Sequence, residues 1–323
     1  MQTWKEAWNE TPGPKTKAEY LKISLKGFCM GTADLIPGVS GGTVAFITGI
    51  YEPLLEAVAS IKKDFFINLV TLKWKDALSS VHLRFLIPLA FGMIFAILSL
   101  ARLMHYLINE QPIPTWSAFF GLIAASIIVI WKDIENPTKP SNMMFIGLGA
   151  IIAWVLVSLI PVTTPFDWWF IYLCGVIGIT AMILPGLSGS FLLLILGKYE
   201  YITGAVKNPF IADNIVTLLI FLCGTISGLL GFSKILNYFM KHYRPQTMAI
   251  LTGILIGSMK KVWPWKEVLE TKVIRGKVRI LREANIFPSE FNSQTALAIA
   301  LIIGSFAVIL LMEKYGSRKA ENI

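Results

Sequence analysis

The sequence predicts an all-α polytopic membrane protein built as two inverted-topology repeats, each a re-entrant helical hairpin followed by three transmembrane helices. Three observations predict it. Of 323 residues, 55% are apolar and 15% charged, against ~25% charged in an average soluble domain, and mean hydropathy is +0.64. The apolar residues gather into long runs, several of them long enough for ~30 Å of hydrocarbon. Two of the runs are interrupted by matching Pro-Gly-x-Ser-Gly sequences. Such a composition excludes a disordered chain, and it excludes a water-soluble enzyme, whose surface needs more charge.

The elements follow in order. Residues 1–26 are polar, with Lys5, Lys15, Lys17, Lys22 and Lys26, and lack the apolar core of a cleavable signal. They form a cytoplasmic segment. The first repeat spans 27–160. It opens with the broken run 27–60, interrupted at Pro37-Gly38-Val39-Ser40-Gly41-Gly42-Thr43. Residues 61–84 mix apolar side chains with Lys62, Lys63, Asp64, Lys73, Lys75 and Asp76, the pattern of an amphipathic insert at the interface. Spans at Phe85–Leu107, Trp116–Trp131 and Met143–Ile160 complete the repeat. The second repeat, 161–323, has its broken run at 168–206, interrupted at Pro185-Gly186-Leu187-Ser188-Gly189-Ser190. Spans follow at Asn214–Met240, Thr247–Met259 and Gln294–Met312, with a charged loop over 260–293. Thr247–Met259 is short for the hydrocarbon, so it extends at its ends or packs inside protein. Trp116, Trp131, Trp168, Trp169, Trp263 and Trp265 sit at span ends, where aromatic belts form.

The duplication is read from the residues. Aligned without a gap, Gly27 meets Gly175 and Thr32-Ala33 meets Thr180-Ala181. Pro37-Gly38, Ser40-Gly41, Gly49 and Tyr51-Glu52 meet Pro185-Gly186, Ser188-Gly189, Gly197 and Tyr199-Glu200. Past the insert the similarity continues at a second register, with Gly92, Thr115, Gly121, Ser126 and Trp131 on Gly224, Thr247, Gly253, Ser258 and Trp263. Arg102 falls on Lys234. A half with one re-entrant hairpin and three spans crosses an odd number of times, so the second half starts from the other face and is inverted. Loop charge supports this at the N-terminus, at 61–84 and at Lys132 and Lys139. It conflicts at 260–293, which would be external yet carries eight Lys and Arg against four Glu. Parallel repeats are the alternative.

The breaks carry the chemistry. Proline removes a backbone donor and glycine admits φ > 0, so a helix ends there. Backbone so freed is tolerated in a membrane where it lines a polar cavity. New helical arms begin at Ser40-Gly41-Gly42-Thr43 and Ser188-Gly189-Ser190, and a helix start with small residues and hydroxyls offers donors to an anion. The plainer reading is that the kinks and small residues only permit close packing. Two copies at matched positions favour a transport site. Asp34 lies deep in the first hairpin, with Met182 as its repeat partner. An acid at that depth is a candidate for coupling to a proton or cation, or a cap for local backbone. Glu52 and Glu200 lie on the exit arms, near the mouths. Arg102 and Lys234 are candidate phosphate partners or snorkelling anchors. Gly121, Ser126, Gly253 and Ser258 read as packing positions.

Other chemistries find no support. There is no Walker loop, no His-x-Glu-x-x-His sequence and no carboxylate-rich cage, so neither a nucleotide cofactor nor a metal is expected. Cys29, Cys174 and Cys223 sit in apolar runs with no ligand spacing, as buried thiols would. The net charge of +9 fits basic loops on anionic membrane lipid, not nucleic acid.

Met30-Gly31-Thr32-Ala33-Asp34-Leu35-Ile36-Pro37-Gly38-Val39-Ser40-Gly41-Gly42-Thr43, with Gly49-Ile50-Tyr51-Glu52, resembles the signature of the bacterial polyprenyl-phosphate transporter family PopT. Ala181-Met182-Ile183-Leu184-Pro185-Gly186-Leu187-Ser188-Gly189-Ser190 resembles its second signature. The resemblance implies return of undecaprenyl phosphate from the outer to the inner leaflet of the bacterial cytoplasmic membrane, which recycles the carrier for peptidoglycan and other envelope polymers. A competing class is the undecaprenyl-pyrophosphate phosphatases, which share re-entrant hairpins and a Pro-Gly-x-Ser motif. In those enzymes an arginine follows the serine; here Gly41 and Gly189 follow it. A small-anion transporter or channel is a third reading.

Overall fold

A computed structural model describes residues 4–36, 39–162, 164–274 and 277–320. Pro37 and Gly38 of the first break lie outside the described residues. The chain is mainly helical. A short α1 (Trp4–Glu10) leads into α2 (Lys17–Asp34), whose first turn is capped by the Thr16 hydroxyl accepting from the Glu19 amide. Arg84, buried, ties this N-terminal segment to the membrane part: its Nη1 donates to the Asn9 carbonyl at 3.1 Å, its Nη2 to the Pro14 carbonyl and its Nε to the Tyr20 hydroxyl.

After the first break come α3 (Gly41–Ile47) and α4 (Tyr51–Ala59). After the second come α11 (Gly189–Ile195) and α12 (Tyr199–Lys207), following α10 (Trp168–Ile183). The helices start at aligned residues in both halves. Each exit arm is two short helices, not one, because a left-handed glycine turns the chain between them: φ is +67° at Gly49 and +64° at Gly197. That conformation costs glycine nothing and other residues about 1 kcal/mol or more. The insert 61–84 forms α5 (Lys63–Val70) and α6 (Trp74–Ser80), with Phe66, Ile67, Val70 and Trp74 exposed alongside the lysines.

Among the described residues, five helices are long and apolar enough to cross a membrane: α7 (Leu83–Glu110), α8 (Pro112–Lys132), α9 (Pro140–Ser158), α13 (Ala212–His242) and the Ser293–Leu311 part of α15 (Ser293–Ala320). Their exposed faces carry Phe91, Leu98, Ile151, Trp154 and Leu219, which suits contact with acyl chains. The remaining expected span is α14 (Arg244–Val262), which is less apolar and almost wholly enclosed, with Ala249, Leu251, Thr252 and Leu255 at 0% exposure. Protein, not lipid, surrounds it.

Packing is exchanged between the halves. Within each half the helix before the break lies on the long helix after it, α2 on α7 and α10 on α13. Across the halves, α9 packs on α14 and α15 on α8. The aligned glycines Gly121 and Gly253 serve these crossings in the same way: a Cβ would stand 2.2 Å from the Ile302 carbonyl oxygen in one case and 2.1 Å from that of Ile146 in the other. Backbones this close need glycine.

The charged segment 260–293 is not a plain loop. It contains an antiparallel hairpin of β1 (Lys266–Ile274) and β2 (Lys277–Asn285), with Lys266 opposite Asn285 and Thr271 opposite Ile280. This corrects the all-helical expectation. The β-branched residues Val268, Thr271, Val273, Ile274, Val278 and Ile280 favour strands.

Candidate functional site: two helix breaks that meet

At the first break α2 ends at Asp34 and the chain turns, with the Ile36 amide bonding to the Ala33 carbonyl. Ser40 then caps α3, its hydroxyl accepting from the Gly42 amide at 3.1 Å. The Gly41 amide donates to Asp34 Oδ1 at 2.7 Å, so a carboxylate of the chain itself stands at the start of α3. At the second break Gly186 takes φ +83°, and Ser188 precedes α11 with its hydroxyl 2.9 Å from that of Ser190. The residue aligned with Asp34 is Met182, so no acid occupies the matching place.

The two breaks are brought together. Ser40 Oγ donates to the Met182 carbonyl at 3.0 Å, the Gly186 amide donates to Thr43 Oγ1 at 2.9 Å, and the Tyr51 hydroxyl donates to the Ile183 carbonyl at 3.1 Å. Ser40, Thr43 and Ser188 are buried. Small residues set the approach: a Cβ on Gly42 would lie 2.7 Å from the Ile183 carbonyl oxygen, and within the second hairpin one on Gly189 would lie 2.4 Å from that of Gly178. Pro185 is fully buried, and Gly186 packs on α14, where its Cβ would meet Ser258 Oγ at 2.6 Å. These contacts use polar groups that a helix break leaves unpaired.

The exit arms differ. Glu52 on α4 pairs with Arg244 at 2.9 Å, and Glu56 with Lys241 at 2.9 Å, clasping α4 to the junction of α13 and α14. In the second half the aligned pairs are Glu200 with Pro112 and Gly204 with Asn109, so these two ion pairs are not repeated at the aligned positions. Glu200 is half-buried on α12. A cavity of about 360 Å³ opens instead between α7 and α11, lined by Leu35, His105, Asn109, Ser190, Leu194 and Tyr199 among others. Arg102 and Lys234 are exposed on α7 and α13 and are not drawn to the breaks.

Two features escaped the sequence reading. Lys198, aligned with Ile50, is 1% exposed; its Nζ donates to the Thr164 carbonyl at 2.8 Å and lies 3.7 Å from the Phe166 ring centre. A lysine inside an apolar run was the available signal. The other feature is a cavity of about 550 Å³ beneath the β-hairpin, lined by the ends of α9, α11 and α14 and by Lys260, Lys261, Lys266, Arg282 and Glu283. Burial, and then the neighbouring Lys261, push the Lys266 ammonium down to about 8, against the pull of Glu283. Glu283 is itself half-buried, yet Lys266 and Lys261 hold its carboxyl below the usual range.

The family model described as undecaprenyl phosphate translocase-like matches residues 30–280, which include both breaks and most of the β-hairpin. The chain belongs to that family. It is similar to the polyprenyl-phosphate transporter of Vibrio cholerae, 42% identical over 312 residues, covering 93% of this chain and 98% of the relative. It is also similar to the polyprenyl-phosphate transporter of Staphylococcus aureus, 35% identical over 257 residues, 74% of this chain and 85% of that one. No solved structure matches it significantly. Within this translocase-like chain, the matched region brings the half-buried Asp34 together with the buried Ser40, Thr43 and Gly186 at the meeting of the breaks.

Proposed function

We propose that the chain carries undecaprenyl phosphate across the bacterial cytoplasmic membrane, returning it from the outer to the inner leaflet for envelope polymer synthesis. The observation that carries this reading is the meeting of two aligned helix breaks from distant parts of a family member. Non-helical backbone at the centre of an apolar bundle is the expected setting for a substrate path. The chain is read as a transporter and not an enzyme, in line with the names of both relatives.

In this reading the halves are inverted repeats and each broken element is re-entrant. The hairpin tips form the phosphate path: Pro37, Gly38, Ser40, Gly41, Gly42 and Thr43 from one side, Pro185, Gly186, Ser188, Gly189 and Ser190 from the other. The clasp of Glu52 and Glu56 closes the inner mouth, while the cleft beside Ser190 and Tyr199 faces the outer leaflet. Inward passage breaks the clasp and closes the cleft. Arg102 and Lys234, exposed on related helices, draw the anionic headgroup along the surface. Moving an anion inward against an inside-negative potential costs about 2.3 kcal/mol per charge per 100 mV. A proton or cation taken up with the phosphate at Asp34, with Glu52 and Glu200 at the mouths, offsets that cost.

Inorganic phosphate release separates this reading from a phosphatase. The purified protein incubated with undecaprenyl phosphate or its pyrophosphate is expected to release none. Turnover of either lipid would overturn the transporter reading in favour of membrane-enzyme chemistry.

A further inference from the structure

The cavity beneath the β-hairpin stands apart from the helix breaks, and its lining has one chemical character. Lys260, Lys261, Lys266 and Arg282 converge on it, with Glu283 the only carboxylate in its lining among the described residues. The cations are held in place by the fold. Lys260 Nζ donates to Ser158 Oγ at 2.6 Å and lies 4.3 Å from the Trp154 ring centre. Lys261 lies 4.8 Å from the ring of Phe191, and Lys266 4.7 Å from that of Trp116. Lys266 Nζ also donates to the Lys261 carbonyl at 2.8 Å, and its side chain is only 12% exposed. Glu283 Oε2 contacts both Lys261, at 3.5 Å, and Lys266, at 3.4 Å, so one acid is divided between two bases. Cations brought together in a partly desolvated space repel one another, an arrangement that an entering dianion relieves. Arginine and lysine side by side are the usual holders of phosphate oxygens.

The position adds a second argument. The floor of the cavity is α11, and Phe191 and Leu194 line both this cavity and the cleft between α7 and α11. The space on one side of that helix is lined by cations from α14 and the β-hairpin, and the space on the other is bordered mainly by Leu35, Ala101, Ile108, Phe191 and Leu194, with His105, Asn109, Ser190 and Tyr199 among them. A phosphate joined to a prenyl chain has the same two characters in the same sequence. The placement also accounts for the segment whose charge violates the positive-inside rule: external basic residues retained there have a ligand to hold.

We infer that the cavity formed by Lys260, Lys261, Lys266 and Arg282 is a receiving site for the phosphomonoester headgroup of a prenyl lipid, upstream of the helix breaks. The inference rests on the transporter reading for its role in transport, but not for its binding chemistry. The β-hairpin is then the wall of the site, and α11 separates headgroup from chain.

The test uses the full-length protein in detergent micelles with farnesyl phosphate, farnesol and inorganic phosphate as probes, and the variants Arg282→Gln and Lys260→Gln. Arg282 is exposed, so its replacement leaves the core intact. Farnesyl phosphate is expected to bind more tightly than either of the other probes, and each variant to weaken it about fivefold to tenfold, the effect of losing one charge-assisted contact. Equal binding of inorganic phosphate and farnesyl phosphate would overturn the lipid source. Unchanged binding in a double Arg282→Gln, Lys260→Gln variant that keeps the wild-type melting temperature would overturn the site itself. Leaflet exchange by the wild type separates the two readings: binding lost in the variants with no exchange by the wild type leaves the site and removes the transport role, whereas exchange with unchanged binding does the reverse.

Discussion

Replacing Gly42 by alanine tests the meeting of the breaks with one methyl group. The added Cβ would lie 2.7 Å from the Ile183 carbonyl oxygen and 3.1 Å from that of Met182, where ordinary contact begins near 3.4 Å. The second break must therefore retreat by roughly 0.7 Å, and forced overpacking of this kind costs about 1–3 kcal/mol. The same retreat stretches the Ser40 to Met182 bond and the Gly186 to Thr43 bond, now 3.0 and 2.9 Å, beyond useful range. Each contributes about 1 kcal/mol net. A total loss of roughly 3–5 kcal/mol follows, with the meeting of the breaks distorted. Gly204→Ala is the control. Nothing lies within 4 Å of a Cβ there, and α12 is helical, so alanine is neutral or stabilising by about 0.5–1 kcal/mol. Melting in detergent and lipid exchange in vesicles report the two effects. Gly42→Ala should melt several degrees lower and lose exchange, while Gly204→Ala keeps both. A Gly42→Ala protein as stable and active as wild type would refute the contact between the breaks.

Other outcomes follow from the same geometry. Asp34→Asn keeps an oxygen for the Gly41 amide, so it should retain the fold yet lose any response of lipid movement to an imposed pH or ion gradient; a wild-type protein indifferent to both gradients would make Asp34 a structural cap. Alanine at Arg102 and Lys234 together should raise the apparent lipid concentration for half-maximal exchange, with Arg102→Lys and Lys234→Arg milder; unchanged values would leave both as snorkelling anchors. Lys266 is lowered to about 8 and faces Lys261, Glu283 and the Trp116 ring. It is charged below that pH and neutral above it, so farnesyl phosphate affinity should fall as pH rises through about 8. Lys266→Arg should flatten that decline, and a wild-type profile already flat from pH 7 to about 9 would contradict it.

The site was more legible in the sequence than the contacts that hold it. Aligning the halves placed Ser40 on Ser188 and Gly49 on Gly197, and both pairs begin matching helices or turns. Glycine and proline act through local backbone, so their effect can be read from neighbours alone. Asp34 was visible as an acid deep in an apolar run, but its partner Gly41 depends on how tightly the turn closes, which the residue types do not settle. The bonds from Ser40 to Met182 and from Gly186 to Thr43 join residues 142 and 143 apart, a pairing that no local pattern encodes. The exchange of α9 onto α14 and α15 onto α8 is of the same kind. The β-hairpin was missed for another reason: its dense charge reads as solvated loop, although Lys272-Val273-Ile274 and Lys277-Val278-Arg279-Ile280 flank Arg275-Gly276 in a strand-turn-strand pattern. Lys266 on the hairpin and Lys260 and Lys261 at the end of α14 matter because folding turns them toward Trp116, Trp154 and Phe191, and only the tertiary structure shows that direction.

The central claim is that this chain moves a polyprenyl phosphate between leaflets through the meeting of its two helix breaks. Sealed vesicles holding the purified protein, with labelled undecaprenyl phosphate in both leaflets, test it through the share of label open to a membrane-impermeant phosphatase. Empty vesicles and those with Gly42→Ala should expose only the outer pool, about half of the label in a symmetric bilayer. Wild-type vesicles should expose nearly all of it. If wild-type vesicles also stop at the outer pool, or if Gly42→Ala matches the wild type, the account is wrong.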